Sequence, residues 1–248
     1  MANKKKRLIK ILLSVLLLGI MLFSAYQLYQ IYRDYAAEKA IHDMVLEYKP
    51  QDTVPSETET EEPVINQSVI DLQAVNADVV GWLTIPNTNI DYPFVWYSDN
   101  DFYLRRDLEK KYAQAGTLFM DYRCNRDFSS QNTIVYGHQM KNNSMFGSIK
   151  NFNNKEFFDN NRTGTIFLAN QTLELEIFAF LVVKAADKEI YKTDFSKTGN
   201  AGFMEYIAEN ARYFRETPLG ETDRFVTLST CSYEFNNARM VLICRINK

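Results

Sequence analysis

The sequence contains few of the residues from which metal sites and disulfide frameworks are built. Its 248 residues include only three cysteines and two histidines. The cysteines, at positions 124, 231 and 244, are too far apart in sequence for a clustered metal-ligand motif or a disulfide framework. Because their number is odd, at least one thiol is free unless it pairs with another molecule. A formal net charge of −3 gives no basic surface of the kind that binds nucleic acid.

The chain is nevertheless rich in the residues that build a core. Apolar residues make up 46% of the sequence and aromatic residues 14%. This composition and length are enough for one sizeable folded domain with additional segments.

The N-terminal segment has the pattern of a membrane anchor. A basic stretch, residues 4–7, precedes an apolar run from Leu8 to Tyr26 whose only charge is Lys10. A bilayer-spanning helix needs roughly 20 apolar residues. A cleaved signal peptide is the alternative, but its apolar stretch is shorter, about 7–15 residues, and ends at small residues. The tyrosines that follow the run, Tyr26, Tyr29 and Tyr32, instead suggest an interfacial aromatic belt.

We therefore predict a single-pass type II membrane protein with an extracellular domain. Residues 1–7 are expected in the cytoplasm and residues 8–31 in the membrane, following the positive-inside rule. Residues 32–65 are expected to form a stalk and an acidic linker, because the segment from Pro50 to Pro63 has too few apolar side chains to fold. Residues 66–248 are expected to form the folded domain.

The domain has the pattern of a mainly β fold. Apolar positions at Val69, Leu72, Val75 and Val79 predict a short amphipathic helix before the first strand. Further helices are expected at 144–151, 155–160 and 202–214. The predicted strands are at 79–86, 90–96, 116–121, 133–137, 164–169, 173–183, 225–231 and 239–246. These eight strands predict a mainly antiparallel sheet, and closure into a barrel would remove its exposed edges.

Two of the predicted strands bring a thiol close to a positive charge. The run Thr227-Leu228-Ser229-Thr230-Cys231 ends one strand, and Arg239 begins the next. If the strands pair as a hairpin, Cys231 and Arg239 lie at the same end of the sheet. A cation beside a cysteine favours the thiolate, which is the nucleophilic form. The alternatives are a buried core cysteine and a surface ion pair between Arg239 and Glu234.

His138 is the histidine that could assist Cys231. It ends the predicted strand at 133–137, whereas His42 lies in the predicted stalk. In acyl transfer Cys231 would attack a carbonyl carbon, and His138 would donate and accept protons. Arg239 stays protonated, so its expected task is to stabilise an oxyanion or to bind a substrate carbonyl. Ser229 lies two residues before Cys231 and points to the same side of an extended strand.

These motifs resemble those of the sortases, the membrane-anchored cysteine transpeptidases of Gram-positive bacteria. The resemblance covers residues 66–246 and rests on the Thr-Leu-Ser-Thr-Cys run, the downstream arginine and Tyr136-Gly137-His138. Class B is indicated by the N-terminal helix, the helix in the connection before the catalytic strand, and three further stretches: 81–86, 90–93 and 99–104.

The resemblance implies an eight-stranded sortase barrel with His138, Cys231 and Arg239 as catalytic residues. It implies a substrate protein carrying a sorting signal of the Asn-Pro-x-Thr-x type, cleaved after threonine. The acceptor would be an amine of a peptidoglycan precursor or of a pilin subunit, and neither a metal ion nor another cofactor is implied. Expected signal contacts are Asn100, Leu104 and Ser229, with Ile190 and Tyr191 in a loop that closes over the peptide.

Some points remain open at this stage. Ser232 follows the cysteine where some class B enzymes have an acidic residue, which affects the expected specificity. A surface cysteine peptidase that releases its product to water, and a non-enzymatic wall-associated binding module, are alternative functions. Cys244 is expected to be buried in the last strand, whereas Cys124 is expected in a loop with some exposure, and the two could pair outside the cell.

Overall fold

The computed structural model describes residues 2–50, 65–196, 199–218, 220, 222–232 and 234–247. It contains two compact units, Met1–Asp43 and Met44–Lys248. Most of the predicted acidic linker, residues 51–64, lies outside the described residues.

The described residues of the first unit all lie in one long helix. This helix, α1, spans Ala2–Leu46, and it includes most of the segment 33–48 for which a helical stalk is expected. The large apolar side chains between Leu8 and Ile31 are between 50% and 68% exposed. By length and composition α1 could cross a membrane, although a signal sequence at this position would satisfy the same criteria.

The second unit is built mainly from strands, with short helices in the connections. Its helices are α2 (Gln67–Val75), α3 (Lys155–Asn160) and α4 (Gly199–Asn210), together with 3₁₀ segments at Phe102–Arg105 and Phe146–Asn153. Its strands are β1 (Val79–Thr84), β2 (Asp91–Trp96), β3 (Leu118–Met120), β4 (Asn132–Tyr136), β5 (Thr163–Leu168), β6 (Gln171–Lys184), β7 (Tyr213–Phe214), β8 (Phe225–Cys231) and β9 (Ala238–Ile246).

Eight of these strands close into a barrel, as predicted. The hydrogen-bonded order is β5-β1-β2-β3-β4-β8-β9-β6, and pairing of β6 with β5 closes the ring. Two of the pairings, β2 with β3 and β4 with β8, are parallel, and the others in the ring are antiparallel. Closure satisfies the backbone groups that an open sheet would leave at its edges.

A ninth strand and a shorter helix differ from the prediction. The helix expected at 202–214 ends at Asn210, because Tyr213 and Phe214 instead pair with β6 as β7. The Arg212 and Arg215 amides also donate to carbonyls of β6, which extends this pairing on both sides.

The barrel strands β6 and β9 are buried on both faces. In β9, Met240, Leu242, Cys244 and Ile246 pack in the larger core cluster. The alternate residues, Val241 and Ile243, pack in a second cluster that includes Phe203 and Ile207 of α4. Because successive strand residues point to opposite faces, covering both faces requires the nearly continuous apolar sequence seen in these strands. This double packing makes β9 a rigid base for Arg239.

Candidate active site

Cys231 and Arg239 are directly paired across a hairpin. In the antiparallel register of β8 and β9, Cys231 is the partner of Arg239. The loop between them is closed by a hydrogen bond of 2.9 Å from the Ser232 amide to the Ala238 carbonyl. Asn237 adopts a left-handed conformation with φ of 58°, which asparagine tolerates better than most residues. The predicted hairpin is therefore present.

His138 reaches the same end of the barrel from the neighbouring strand. β4 lies parallel to β8, with Tyr136 opposite Ser229, so the chain after β4 runs beside the end of β8. The Gly137 amide donates to the Ser229 carbonyl at 3.2 Å, which continues the alignment by one residue. A Cβ atom at Gly137 would lie 2.4 Å from Leu118 Cδ2, so any larger residue here would force the neighbouring side chains to shift.

The hydrogen bonding of His138 determines its neutral tautomer. Its Nε2 lies 2.8 Å from the Leu104 carbonyl oxygen, which can only accept, so Nε2 carries the proton. The neutral ring therefore has Nδ1 as its basic nitrogen. Burial, and secondarily the positive charge of Arg105, lower the pKa of His138 below its ordinary value of 6.5. The imidazole is consequently neutral at neutral pH.

Arg239 does not form the ion pair with Glu234 that the sequence also allowed. Glu234 pairs instead with Arg212, with an Nη2 to Oε2 distance of 2.8 Å. Across the described part of the chain no carboxylate lies within ion-pair distance of Arg239. Its Nη1 donates to the Ala238 carbonyl at 3.0 Å, and its side chain lines the cleft described next. The guanidinium keeps further N–H donors for another partner.

One cleft of about 620 Å³ contains the predicted catalytic trio and most of the predicted peptide contacts. Of the residues singled out from the sequence, those lining it are Cys231, His138, Arg239, Asn100, Leu104, Ser229 and Tyr191. The other lining residues are Phe119, Asp121, Tyr122, Arg123, Tyr136, Gly137, Ala185, Ala186, Asp187, Lys188, Lys192 and Thr230.

Ile190 does not line this cleft, in contrast to the expectation from sequence. Asp187 Oδ1 accepts hydrogen bonds of 3.0 Å from the amides of Glu189 and Ile190, forming a tight turn. This turn directs Ile190 into the second core cluster, where it is fully buried. The next residue, Tyr191, lines the cleft, and its hydroxyl lies 2.8 Å from Ser229 Oγ. Burial raises the pKa of Tyr191 to about 12, so its hydroxyl stays protonated.

A buried carboxylate beneath the cleft was missed in the sequence. Asp121 follows β3, and its side chain is fully shielded from solvent. It accepts hydrogen bonds from Tyr136 at 2.9 Å and from Asn100 at 3.2 Å, and it pairs with Arg123 at 2.7 Å. An aspartate after a strand is common in surface turns, so its sequence position alone did not distinguish it. Its location at a strand end, like those of Cys231 and His138, was the available signal.

The other two cysteines are buried and separate. All three thiols are free, so the possible pairing of Cys124 with Cys244 does not occur. Cys124 is only 3% exposed, which corrects the expectation of an exposed loop residue. Its thiol donates to the Asn132 carbonyl at 3.5 Å, and the Ile134 amide donates to its sulfur at 3.4 Å. These contacts draw the loop after β3 onto β4.

Comparison with known proteins agrees with this geometry. The family model of the sortase domain matches residues 83–247. Sortase B of Listeria monocytogenes is 32% identical over 234 residues, covering 93% of each chain. The crystal structure of sortase B from Bacillus anthracis in complex with AAEK1 has 33% identity and a TM-score of 0.73, covering 88% of this chain and 99% of that one. The Staphylococcus aureus sortase B–substrate complex has 26% identity and a TM-score of 0.69, covering 74% of this chain and 86% of that one. The chain therefore belongs to the sortase family, in which it is a class B member and a cysteine transpeptidase.

Proposed function

We propose that this protein cleaves a C-terminal sorting signal after threonine, through a thioester on Cys231, and transfers the acyl group to an amine. The observation that carries the proposal is the position of Cys231, His138 and Arg239 around one cleft. Cys231 and Arg239 are held by pairing within a hairpin, and His138 by the parallel alignment of β4 with β8.

Acylation uses all three residues. The thiol of Cys231 passes its proton to Nδ1 of neutral His138, and the thiolate attacks the threonine carbonyl carbon. Arg239 donates hydrogen bonds to the oxyanion, because its guanidinium is engaged in no ion pair with a described carboxylate. When the C–N bond breaks, the imidazolium gives its proton to the departing amine, and the acyl group remains on sulfur.

Deacylation reverses the proton transfer. The incoming amine attacks the thioester carbon, and Nδ1 of His138 accepts its proton. The C–S bond then breaks, the thiolate takes this proton back, and a new amide bond is formed. The lowered pKa of the buried His138 imidazole favours this proton transfer, because the ring must be neutral before each half-reaction.

The peptide would be recognised by side chains along the cleft. Asn100 and Ser229 offer polar groups and Leu104 an apolar surface, while Tyr191 carries a hydroxyl that stays protonated. The S. aureus relative was solved as a complex with substrate, which supports the use of this cleft for the peptide. We assign the signal to the Asn-Pro-x-Thr-x class. Ile190 supports the loop from within the core.

For the acceptor we propose an amine of a peptidoglycan precursor or of a pilin subunit. A class B sortase from Streptococcus pyogenes, with 33% identity to this chain, is described as involved in pilus biogenesis. In either case α1 would act as a single-pass anchor through residues 8–31, with residues 1–7 in the cytoplasm. Residues 32–65 would hold the domain formed by residues 66–248 above the outer face of the membrane.

The test uses the full-length protein in detergent micelles with internally quenched peptides containing Asn-Pro-x-Thr-x. A peptide with valine in place of threonine is the matched substrate control. Wild-type protein is expected to cleave only the threonine peptide, and Cys231→Ala is expected to lose at least about a thousandfold in rate. Equal cleavage by wild type and Cys231→Ala would refute the role of Cys231.

Addition of amines separates transfer from hydrolysis. Peptides with a free N-terminal glycine or a lysine side chain are added, and products are identified by mass. Ligated product supports the transpeptidase proposal. Release to water alone, unaffected by every amine, would indicate a surface cysteine peptidase, and absence of cleavage by the wild type would favour a binding module.

A further inference from the structure

Asp121 is a buried charge that the proposed reaction does not use. Its carboxylate accepts five hydrogen bonds, from the Arg123 amide, Arg123 Nε, Arg123 Nη2, Tyr136 Oη and Asn100 Nδ2. Although burial alone would raise its pKa, the bonds from Arg123 and Tyr136 hold the pKa of Asp121 below its ordinary value. A buried carboxylate that stays ionised is stable only with such partners, so Asp121 holds each of them firmly.

One partner, Asn100, has its side-chain amide fixed in orientation. Asp121 Oδ2 can only accept, so it faces Nδ2 of Asn100 at 3.2 Å. The Tyr122 amide can only donate, and it faces Oδ1 of Asn100 at 3.0 Å. The two contacts exclude the flipped orientation of the Asn100 amide. The second N–H of Nδ2 takes part in neither contact, and Asn100 lines the cleft.

A second partner, Arg123, connects Asp121 to the loop formed by residues 187–192. Two of its nitrogens bind Asp121, at 2.8 Å for Nε and 2.7 Å for Nη2. Nη2 also donates to the backbone carbonyl of Tyr191 at 3.2 Å. Tyr191 in turn contacts Ser229 on β8 through its hydroxyl. The backbone and the side chain of Tyr191 are therefore each attached to the barrel.

Arg123 has the geometry needed to join these two acceptors. A guanidinium presents several N–H groups in a fixed plane, so one side of it can bind a carboxylate while another binds a carbonyl. A lysine ammonium, which is a single compact charge, would not reproduce this planar arrangement. Because Asp121 already fixes the plane, the bond to Tyr191 costs little additional side-chain entropy.

We propose that Arg123, anchored on Asp121, is a positioning residue that holds the 187–192 loop in its peptide-binding arrangement. It acts through Tyr191 and makes no contact with the reacting atoms. This inference rests on the proposed function, since it assigns Tyr191 to the sorting-signal cleft. It predicts that loss of Arg123 weakens productive binding of the peptide while the chemistry of Cys231 is retained.

The test compares full-length wild type with Arg123→Gln, Arg123→Lys and the control Arg162→Gln. Arg162 is exposed and bonds to the Asp159 carbonyl, and it does not line the cleft. The first readout is the KM and kcat for the threonine peptide. Arg123→Gln is expected to raise KM about tenfold, as loss of one charged hydrogen bond implies, with kcat within about twofold of wild type. Arg123→Lys keeps a positive charge beside Asp121, so it should fold and still raise KM, and Arg162→Gln should match wild type.

A second readout does not depend on peptide cleavage. Limited trypsin digestion, analysed by mass, reports new ends after Lys188 and Lys192. These ends should form faster in Arg123→Gln than in wild type or Arg162→Gln, because a loop with fewer fixed contacts is cut more readily. Failure of the proposed function would leave this readout unaffected.

The outcomes that overturn the inference are specific. Unchanged KM together with unchanged loop digestion in Arg123→Gln would overturn it. A fall in kcat at constant KM would also do so, because Arg123 would then act on the chemical step. If Arg123→Gln fails to fold, a wild-type KM in folded Arg123→Lys would overturn the bridge to Tyr191.

Discussion

At the scale of single residues, burial and hydrogen bonding restrict the protonation and the pairing of the side chains in the site. His138 is buried enough to remain neutral, and the Leu104 carbonyl prevents the proton from moving to the other tautomer. Among the described residues no carboxylate pairs with Arg239, and Glu234 pairs with Arg212 instead. For the proposed reaction, these restraints leave His138 as a neutral base and Arg239 as a group that can bind an anion.

The burial of His138 makes a prediction about stability and pH. Since its pKa in the folded protein is below 6.5, the unfolded chain binds more protons as the pH falls through 6.5 towards the folded value. The free energy of unfolding should therefore decrease across this window, by up to about 1.4 kcal/mol per pH unit. Chemical denaturation of the full-length protein at about pH 7 and about pH 5.5 measures it.

His138→Gln is the matched variant for this measurement. Glutamine can still donate to the Leu104 carbonyl but does not titrate, and His42 is the same in both proteins. The variant should lose less stability than wild type between the two pH values. An identical loss in both would show that protonation of His138 does not oppose folding.

At the scale of secondary structure, most strands and the hairpin of β8 with β9 could be read from the sequence, but the pairings between distant segments could not. Apolar runs located β6 and β9 because both faces of these strands are covered. The parallel pairing of β4 with β8 has no local signature, since it joins segments far apart in the chain. β7 was assigned to the preceding helix because Tyr213 and Phe214 continue its apolar spacing, and only contact with β6 makes them a strand.

The same limit applies to the candidate site. Cys231, His138 and Arg239 could be selected because strand ends and scarce residue types distinguish them. Asp121 and Arg123 could not, because an Asp-x-Arg sequence gives no sign of burial. Ile190 and Tyr191 are adjacent, so sequence alone did not show that a turn made by Asp187 buries Ile190 in the core and places Tyr191 at the cleft.

The close approach at Gly137 makes a prediction for the end of β4. In Gly137→Ala the new Cβ would lie 2.4 Å from Leu118 Cδ2 and 2.8 Å from Phe146 Cδ2. Both neighbours are buried, so relief requires a shift of these packed side chains or of the chain next to His138. We expect a loss of about 1–3 kcal/mol in the free energy of unfolding, and a fall of more than about tenfold in kcat/KM.

Gly164→Ala on β5 is the control for Gly137→Ala. Its nearest contact, to the Thr84 carbonyl oxygen at 3.1 Å, is less severe, and Gly164 does not line the cleft. This variant should keep wild-type kcat/KM. Unchanged activity in a destabilised Gly137→Ala would mean that the position of His138 does not depend on this glycine.

At the scale of the whole molecule, the three thiols occupy different environments. Cys244 is fully buried, and burial raises its pKa well above the ordinary value. Burial raises the pKa of Cys124 to about 11. Cys231 is partly exposed in the cleft. The fold therefore keeps one thiol accessible and protects two.

This distribution predicts the result of thiol labelling with a membrane-impermeant maleimide. In intact cells of a Gram-positive host, the full-length protein should take up one label, at Cys231, because the thiolate reacts and the other two thiols are buried. Mass analysis of peptides identifies the labelled position, and Cys231→Ala should remain unlabelled until denatured. Labelling only after lysis would contradict the proposed extracellular topology, and native labelling of Cys124 or Cys244 would contradict their burial.

The parallel alignment of β4 with β8 also has a consequence for folding. The thiol and its arginine are neighbours in one hairpin, but His138 must be brought to Cys231 across the chain from residue 138 to residue 231. Contacts of such long sequence separation form late, because loop closure has to be completed first. A chain that is still folding thus carries Cys231 without the imidazole proposed to accept its proton. Under the proposed mechanism, the ability to form the thioester is therefore expected to appear only after β4 has paired with β8.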